Sequence, residues 1–188
     1  MTTPKQKLWR GWVITGDWLL AFLLAGTMVM VLRSFILVPA SVSGQSMAPT
    51  LKSADQLLLR TSGPIKRFDI VVFTRPDQTT YVKRVIGLPG ETVAYRNDQL
   101  YINGRYIAEP FLDAAKQKPG VLTSDFELKA LIGEQRIPQN EYFVLGDNRQ
   151  ISKDSRLFGP IHRDTILGRA VAIYWPINDV QFLKASKD

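Results

Sequence analysis

Ser46 stands in the stretch SGQSMAPTL, residues 43–51, of a chain with one histidine, His162, and no cysteine. A serine hydroxyl attacks a carbonyl poorly unless a neighbour removes its proton. Without cysteine there is no thiol nucleophile and no cysteine-ligated zinc, and one histidine makes no cluster of metal ligands. The search for a base therefore turns to lysine. Lys83, in Tyr81-Val82-Lys83-Arg84-Val85-Ile86, is the best placed. A lysine is a base only when neutral, so its pKa has to fall from about 10.4 toward 7–8. Burial among apolar neighbours has that effect, because it disfavours the ammonium. In a strand, Tyr81, Lys83 and Val85 share one face, which sets Lys83 between an aromatic and a β-branched neighbour.

Taken singly, each of these residues also has a plainer reading. Ser46 fits an ordinary turn residue, and Lys83 fits a strand lysine that snorkels to water. Gly44 allows close approach of another stretch of chain, and Pro49 restricts the backbone of Ala48. No serine is followed by lysine three residues later, so a Ser-x-x-Lys arrangement is absent. His162 reads as a structural or surface residue.

The elements that would position this chemistry begin with an apolar run. Residues 13–32 read VITGDWLLAFLLAGTMVMVL. At about 1.5 Å per residue, such a run covers roughly the 30 Å of a bilayer's hydrocarbon. It is apolar on all faces, unlike an amphipathic core helix, and longer than the apolar region of a cleaved signal peptide. Asp17 lies about one turn from its start, and Trp9, Trp12 and Trp18 suit an interface belt. Lys5, Lys7 and Arg10 precede the run and only Arg33 follows it before Lys52. The positive-inside rule then predicts a cytoplasmic N-terminus (1–12), a single-pass membrane anchor (13–33) and an extracytoplasmic domain (34–188).

That domain reads as mostly β. Short β-branched and aromatic runs (68–73, 80–86, 91–95, 100–102, 141–145 and 168–175) alternate with Gly, Pro, Asn and Asp turn signals. Asn103-Gly104 predicts a type I′ hairpin between 100–102 and 105–107. Residues 112–137 are more polar and predict a loop or small subdomain, with a short helix near 126–132. The formal net charge of +7 is spread out, with no basic run longer than Lys66-Arg67 or Lys83-Arg84. A nucleic-acid groove concentrates its basic residues, so no nucleic-acid partner is expected; attraction to anionic lipid headgroups is a better use of the charge.

Four blocks occur in order: SGQSMAPTL (43–51), RFDIVVF (67–73), YVKRVIGLPG (81–90) and GDNRQISKDSRLFGP (146–160). In this the chain resembles type I signal peptidases, the membrane-anchored serine–lysine proteases that remove signal peptides from exported proteins. Its length and single span are similar to the compact form of Gram-positive bacteria. The resemblance implies Ser46 as nucleophile, followed by Met47, and Lys83 as general base. It implies that the Ser152 hydroxyl bonds and orients that lysine. Asp154 and Arg156 match a structural ion pair, with Asp147 and Arg149 in the same supporting segment. The Ser46 N–H would be one oxyanion donor. It further implies small residues, typically alanine, at the first and third positions before the cut, and no metal or cofactor. The implied partners are signal-peptide-bearing precursors and the lipid bilayer, with contact to the secretion machinery left open. Two departures stand out. Gly44 occupies a position where some members carry a hydroxyl as second oxyanion donor, and Gln150-Ile151 replaces the Asp-Asn of many members. An inactive membrane-tethered scaffold and a self-cleaving serine–lysine regulator are the rival readings; a scaffold leaves the coincidence of Ser46, Lys83 and Ser152 without a purpose.

Overall fold

The computed structural model describes residues 18–30, 37–117 and 119–183. The chain divides into two units, Met1–Ile36 and Leu37–Asp188. In the first, residues 18–30 form a helix, α1, that is apolar on every face and exposed along its length. No helix among the described residues is long and apolar enough to cross a membrane. The expected span of 13–33 runs past α1 at both ends, and residues 1–17 and 31–36, including Trp9, Trp12 and Asp17, lie outside the described residues.

The second unit holds twelve strands among its described residues: β1 (Leu37–Ser41), β2 (Gln56–Arg60), β3 (Ile70–Thr74), β4 (Thr80–Gly87), β5 (Val93–Arg96), β6 (Gln99–Ile102), β7 (Arg105–Ile107), β8 (Phe126–Glu127), β9 (Glu141–Leu145), β10 (Ile161–His162), β11 (Ile166–Trp175) and β12 (Gln181–Phe182). The large sheet has the order β1-β2-β11-β3-β4-β9-β10, with β12 on β11; the small one has β7-β6-β5-β8. Asn103 and Gly104 take φ of 50° and 76°, as a type I′ hairpin requires, and Asn97 and Asp98 at 52° and 60° make a second such turn between β5 and β6.

The short helix expected near 126–132 begins later. Phe126–Glu127 pairs with Tyr95 and Ala94 of β5 as a strand, and only Leu128–Ile132 is helical, closed by Gly133 at φ 79°. Two residues of strand carry no alternation that a sequence can display. Two one-turn helices, Asp113–Lys116 and Ser155–Phe158, complete the unit.

Three apolar clusters hold it together. One lies between the sheets, where Ile86, Phe143 and Leu145 of the large sheet meet Tyr95, Leu100 and Ile102 of the small one. A second takes Leu57, Leu59, Val72 and Ile173 from the large sheet together with Val42, Met47 and Leu51 from the loop around Ser46. A third packs Val71, Phe73, Val85 and Val144. Residues on alternate positions of β4 thus serve different clusters, as a period of two dictates.

Candidate active site

The loop carrying Ser46 is plugged into the core from both sides of the serine. Val42, Met47 and Leu51 are all buried, so Ser46 is half-exposed on a loop with little freedom. Backbone bonds from Val42 N to Asp55 O (2.9 Å), Ala54 N to Val42 O (2.9 Å) and Leu51 N to Met47 O (2.9 Å) cinch it. Gly44 has φ +87° with open space where a Cβ would lie. The close approach expected at Gly44 is therefore absent; the left-handed backbone is what requires glycine there. Its N–H donates to Ser53 Oγ at 3.4 Å.

β4 supplies Lys83. Its ladder with β9 begins only at Arg84↔Leu145, so β9 flanks neither Lys83 nor the residues before it. The Lys83 ammonium donates to Ser46 Oγ at 2.6 Å and to the Val82 carbonyl at 3.0 Å. Lys83 is 2% exposed, and its Nζ lies 5.5 Å from the Tyr81 ring centroid. Burial lowers its pKa to about 8, against the opposing pull of Asp154 and Asp147. A neutral amine within 2.6 Å of a hydroxyl can take its proton.

The turn after β9 braces both residues. Asn148 N–H donates to the Ser46 carbonyl at 3.0 Å. The Gly146 Cα faces that carbonyl and the Ser152 side chain so closely that any Cβ would collide with both. Asp154 and Arg156 pair at 2.9 Å, and Asp154 also accepts from Gly146 N at 3.1 Å. Ser152 departs from expectation. It is 8% exposed and lies against Gly146, but its Oγ has no hydrogen-bond partner, so no bond to Lys83 is formed.

Asp147 and Arg149 have partners that no motif suggested. Asp147 accepts both Arg84 Nε (2.8 Å) and Nη2 (2.6 Å), plus Thr50 Oγ1 (2.5 Å) from the Ser46 loop. Arg84 Nη1 donates to the carbonyl of Phe68 at 2.9 Å; Phe68 has φ +66°, an outlier for a bulky residue. The sequence held a signal for Arg84: consecutive charges in a central apolar strand point to opposite faces, so both must be buried. Arg149 is fully buried; it donates to the Gly146 carbonyl (3.0 Å), Glu109 (2.6 Å) and the Tyr95 hydroxyl. Burial alone would lower its pKa, but Tyr95 and Glu109 hold it above the usual value. Glu109 and Tyr95 lie far from Arg149 in sequence and carried no signal. His162 stays outside the site, where its Nδ1 accepts from Asp164 N at 3.3 Å.

Ser46 and Lys83 open into a cleft of about 540 Å³, walled also by Val42, Tyr81, Ile151 and Lys153.

Residues 15–175 match the family model described as signal peptidase, peptidase S26. Signal peptidase I of Bacillus caldolyticus is 44% identical over 188 residues, covering 97% of this chain and 99% of that protein. Signal peptidase I V of Bacillus subtilis (strain 168) is 43% identical over 157 residues, or 80% and 94% of the two chains. A crystal structure of a signal peptidase I from Enterococcus faecalis V583 superposes with a TM-score of 0.54 at 44% identity, covering 57% of this chain and 97% of that one. The chain belongs to the signal peptidase family, peptidase S26, and is an enzyme of that serine peptidase family.

Proposed function

We propose that this enzyme is a membrane-anchored endopeptidase that removes signal peptides from exported precursors with Ser46 as nucleophile and Lys83 as general base. The observation that carries the reading is the 2.6 Å approach of Lys83 Nζ to Ser46 Oγ by a lysine whose pKa is lowered to about 8.

Neutral Lys83 takes the Ser46 proton as Oγ bonds to the scissile carbonyl carbon. The carbonyl oxygen becomes an oxyanion, facing the Ser46 N–H. The C–N bond then breaks as the Lys83 ammonium gives its proton to the leaving amine. Lys83, neutral again, takes a proton from water; the hydroxide attacks the acyl carbon, and Ser46 leaves with the proton. Ser152 packs against Gly146 in the turn beside Ser46, and Asp147, Asp154, Arg156, Gly44 and Met47 hold the loop and turn in register.

The cleft walls beside Ser46 (Val42, Met47, Val82) are apolar and suit small side chains before the cut. Among the described residues no strand pairs with the β4 edge ahead of Arg84 or the outer edge of β1, which suits both to an extended peptide. Residues 1–12 lie in the cytoplasm, 13–33 cross the bilayer, and 34–188 face the outside, where cleavage sites emerge. Trp175, Ile177, Val180 and Phe182 are all more than half exposed and form an apolar patch suited to the bilayer surface. Tethering then raises the effective concentration of Ser46 at that surface.

Ser46→Ala and Lys83→Ala are each expected to abolish cleavage of an Ala-x-Ala precursor by the purified, folded protein. The kcat/KM of the parent enzyme should rise with pH through an apparent pKa near 8, since the neutral amine is the active form. Near-normal cleavage by either variant would sink the dyad.

A further inference from the structure

The cleft around Ser46 has an unbalanced charge: its walls carry Lys83 and Lys153 and no carboxylate. Lys83 is spent on Ser46 and the Val82 carbonyl. Lys153 is exposed and has no hydrogen-bond or ion-pair partner among the described residues. The two acids of its own turn are already engaged. Asp154 is fully buried and bound to Arg156 and Gly146 N; Asp147 is buried and bound to Arg84 and Thr50. The backbone at Lys153 is firmly held, because Ser152 and Asp154 on either side are both buried. Ile151, on the same wall, is 58% exposed. That rim offers an apolar side chain and then a free ammonium, the complement of a short apolar stem ending in a carboxylate.

Building on the peptidase reading above, we propose that Lys153 is a specificity-determining residue that favours precursors carrying an Asp or Glu among the residues flanking the cut. A lysine is a point charge on a flexible stem, so it selects the sign of charge rather than one fixed geometry. The same charge repels a basic residue there, which adds rejection to attraction. A partly solvated ion pair of this kind changes kcat/KM by about threefold to tenfold, and salt screens it.

The test uses the full-length enzyme in neutral detergent and Ala-x-Ala peptides that differ by Glu, Gln or Lys at one flanking position at a time. The parent enzyme is expected to prefer Glu over Gln over Lys at one or more positions, mostly through KM. Lys153→Gln should flatten that order, Lys153→Glu should invert it, and 0.5 M salt should compress it. No charge preference, or a preference that survives both substitutions, overturns the proposal. So does an effect of Lys153→Glu that appears only with anionic vesicles, which would assign the lysine to lipid headgroups. Cleavage of the Gln peptides by the parent enzyme and not by Ser46→Ala keeps the peptidase reading standing whatever the charge series shows. Failure to cut any peptide overturns both.

Discussion

Lys83 shows what one residue costs and does. At 2% exposure its ammonium is stripped of water, and among the described residues Nζ bonds Ser46 Oγ and one carbonyl. The pKa lowered from 10.5 to about 8 means that the charged form is disfavoured in the native state by on the order of 3 kcal/mol. The sign follows. Below about pH 8 the lysine is charged both folded and unfolded, and the penalty is complete; between about 8 and 10.5 only the unfolded chain keeps the proton, and the penalty fades as pH rises. Lys83→Met, similar in volume, is therefore expected to abolish peptide cleavage while raising the urea midpoint at pH 7, with the gap closing toward pH 10. A midpoint at pH 7 equal to or below that of the parent would show that the ammonium carries no such penalty.

At the scale of elements, β4 does two jobs because its side chains alternate. Lys83 meets Ser46, and Arg84, one residue on, binds Asp147 from the other face. The turn between β9 and the Ser155–Phe158 helix is then gripped by three arginines, Arg84, Arg149 and Arg156, reaching it from β4, from the turn itself and from that helix. Arg149 also ties the turn to the small sheet through Glu109 and Tyr95. Glu109→Ala leaves a buried guanidinium without its carboxylate, a change that costs about 3–5 kcal/mol. Urea denaturation should show that loss. Cleavage measured well below the transition should fall as well, because the turn supports Ser46 through Asn148 and carries Ile151 and Lys153 of the cleft wall. A stability within 1 kcal/mol of the parent, on the scale of an exposed pair, would remove the network from this role.

At the scale of the molecule, the three apolar clusters found among the described residues are all built from residues of the second unit. The catalytic unit therefore has the means to fold without residues 1–33. A chain beginning at Ser34 is expected to keep peptide cleavage within about twofold and to lose most of its co-sedimentation with vesicles, with a remainder owed to the patch around Trp175 and Phe182 and to the positive charge. Unchanged co-sedimentation would mean that the catalytic unit, not the N-terminal run, holds the protein to lipid.

The order of the four blocks, the mostly β character, the Asn103-Gly104 turn and the pairing of Asp154 with Arg156 were legible in the sequence. Each is local: a spacing, an alternation or a two-residue conformational preference. Ser46 and Lys83 could be named from their blocks, but the 2.6 Å between them is a contact across 37 residues of chain. The partners of Asp147 and Arg149 were hidden for the same reason, since Arg84 and Glu109 reach them across 63 and 40 residues of chain. Ser152 was found as a residue and misjudged as a contact, because a hydroxyl's partner depends on which atoms packing brings within about 3 Å. Sequence by itself determined which chemical groups the protein owns and which face of each strand they take. Only the tertiary structure decided which of them meet, which lose their water, and hence which lysine stands beside a serine hydroxyl with its pKa lowered.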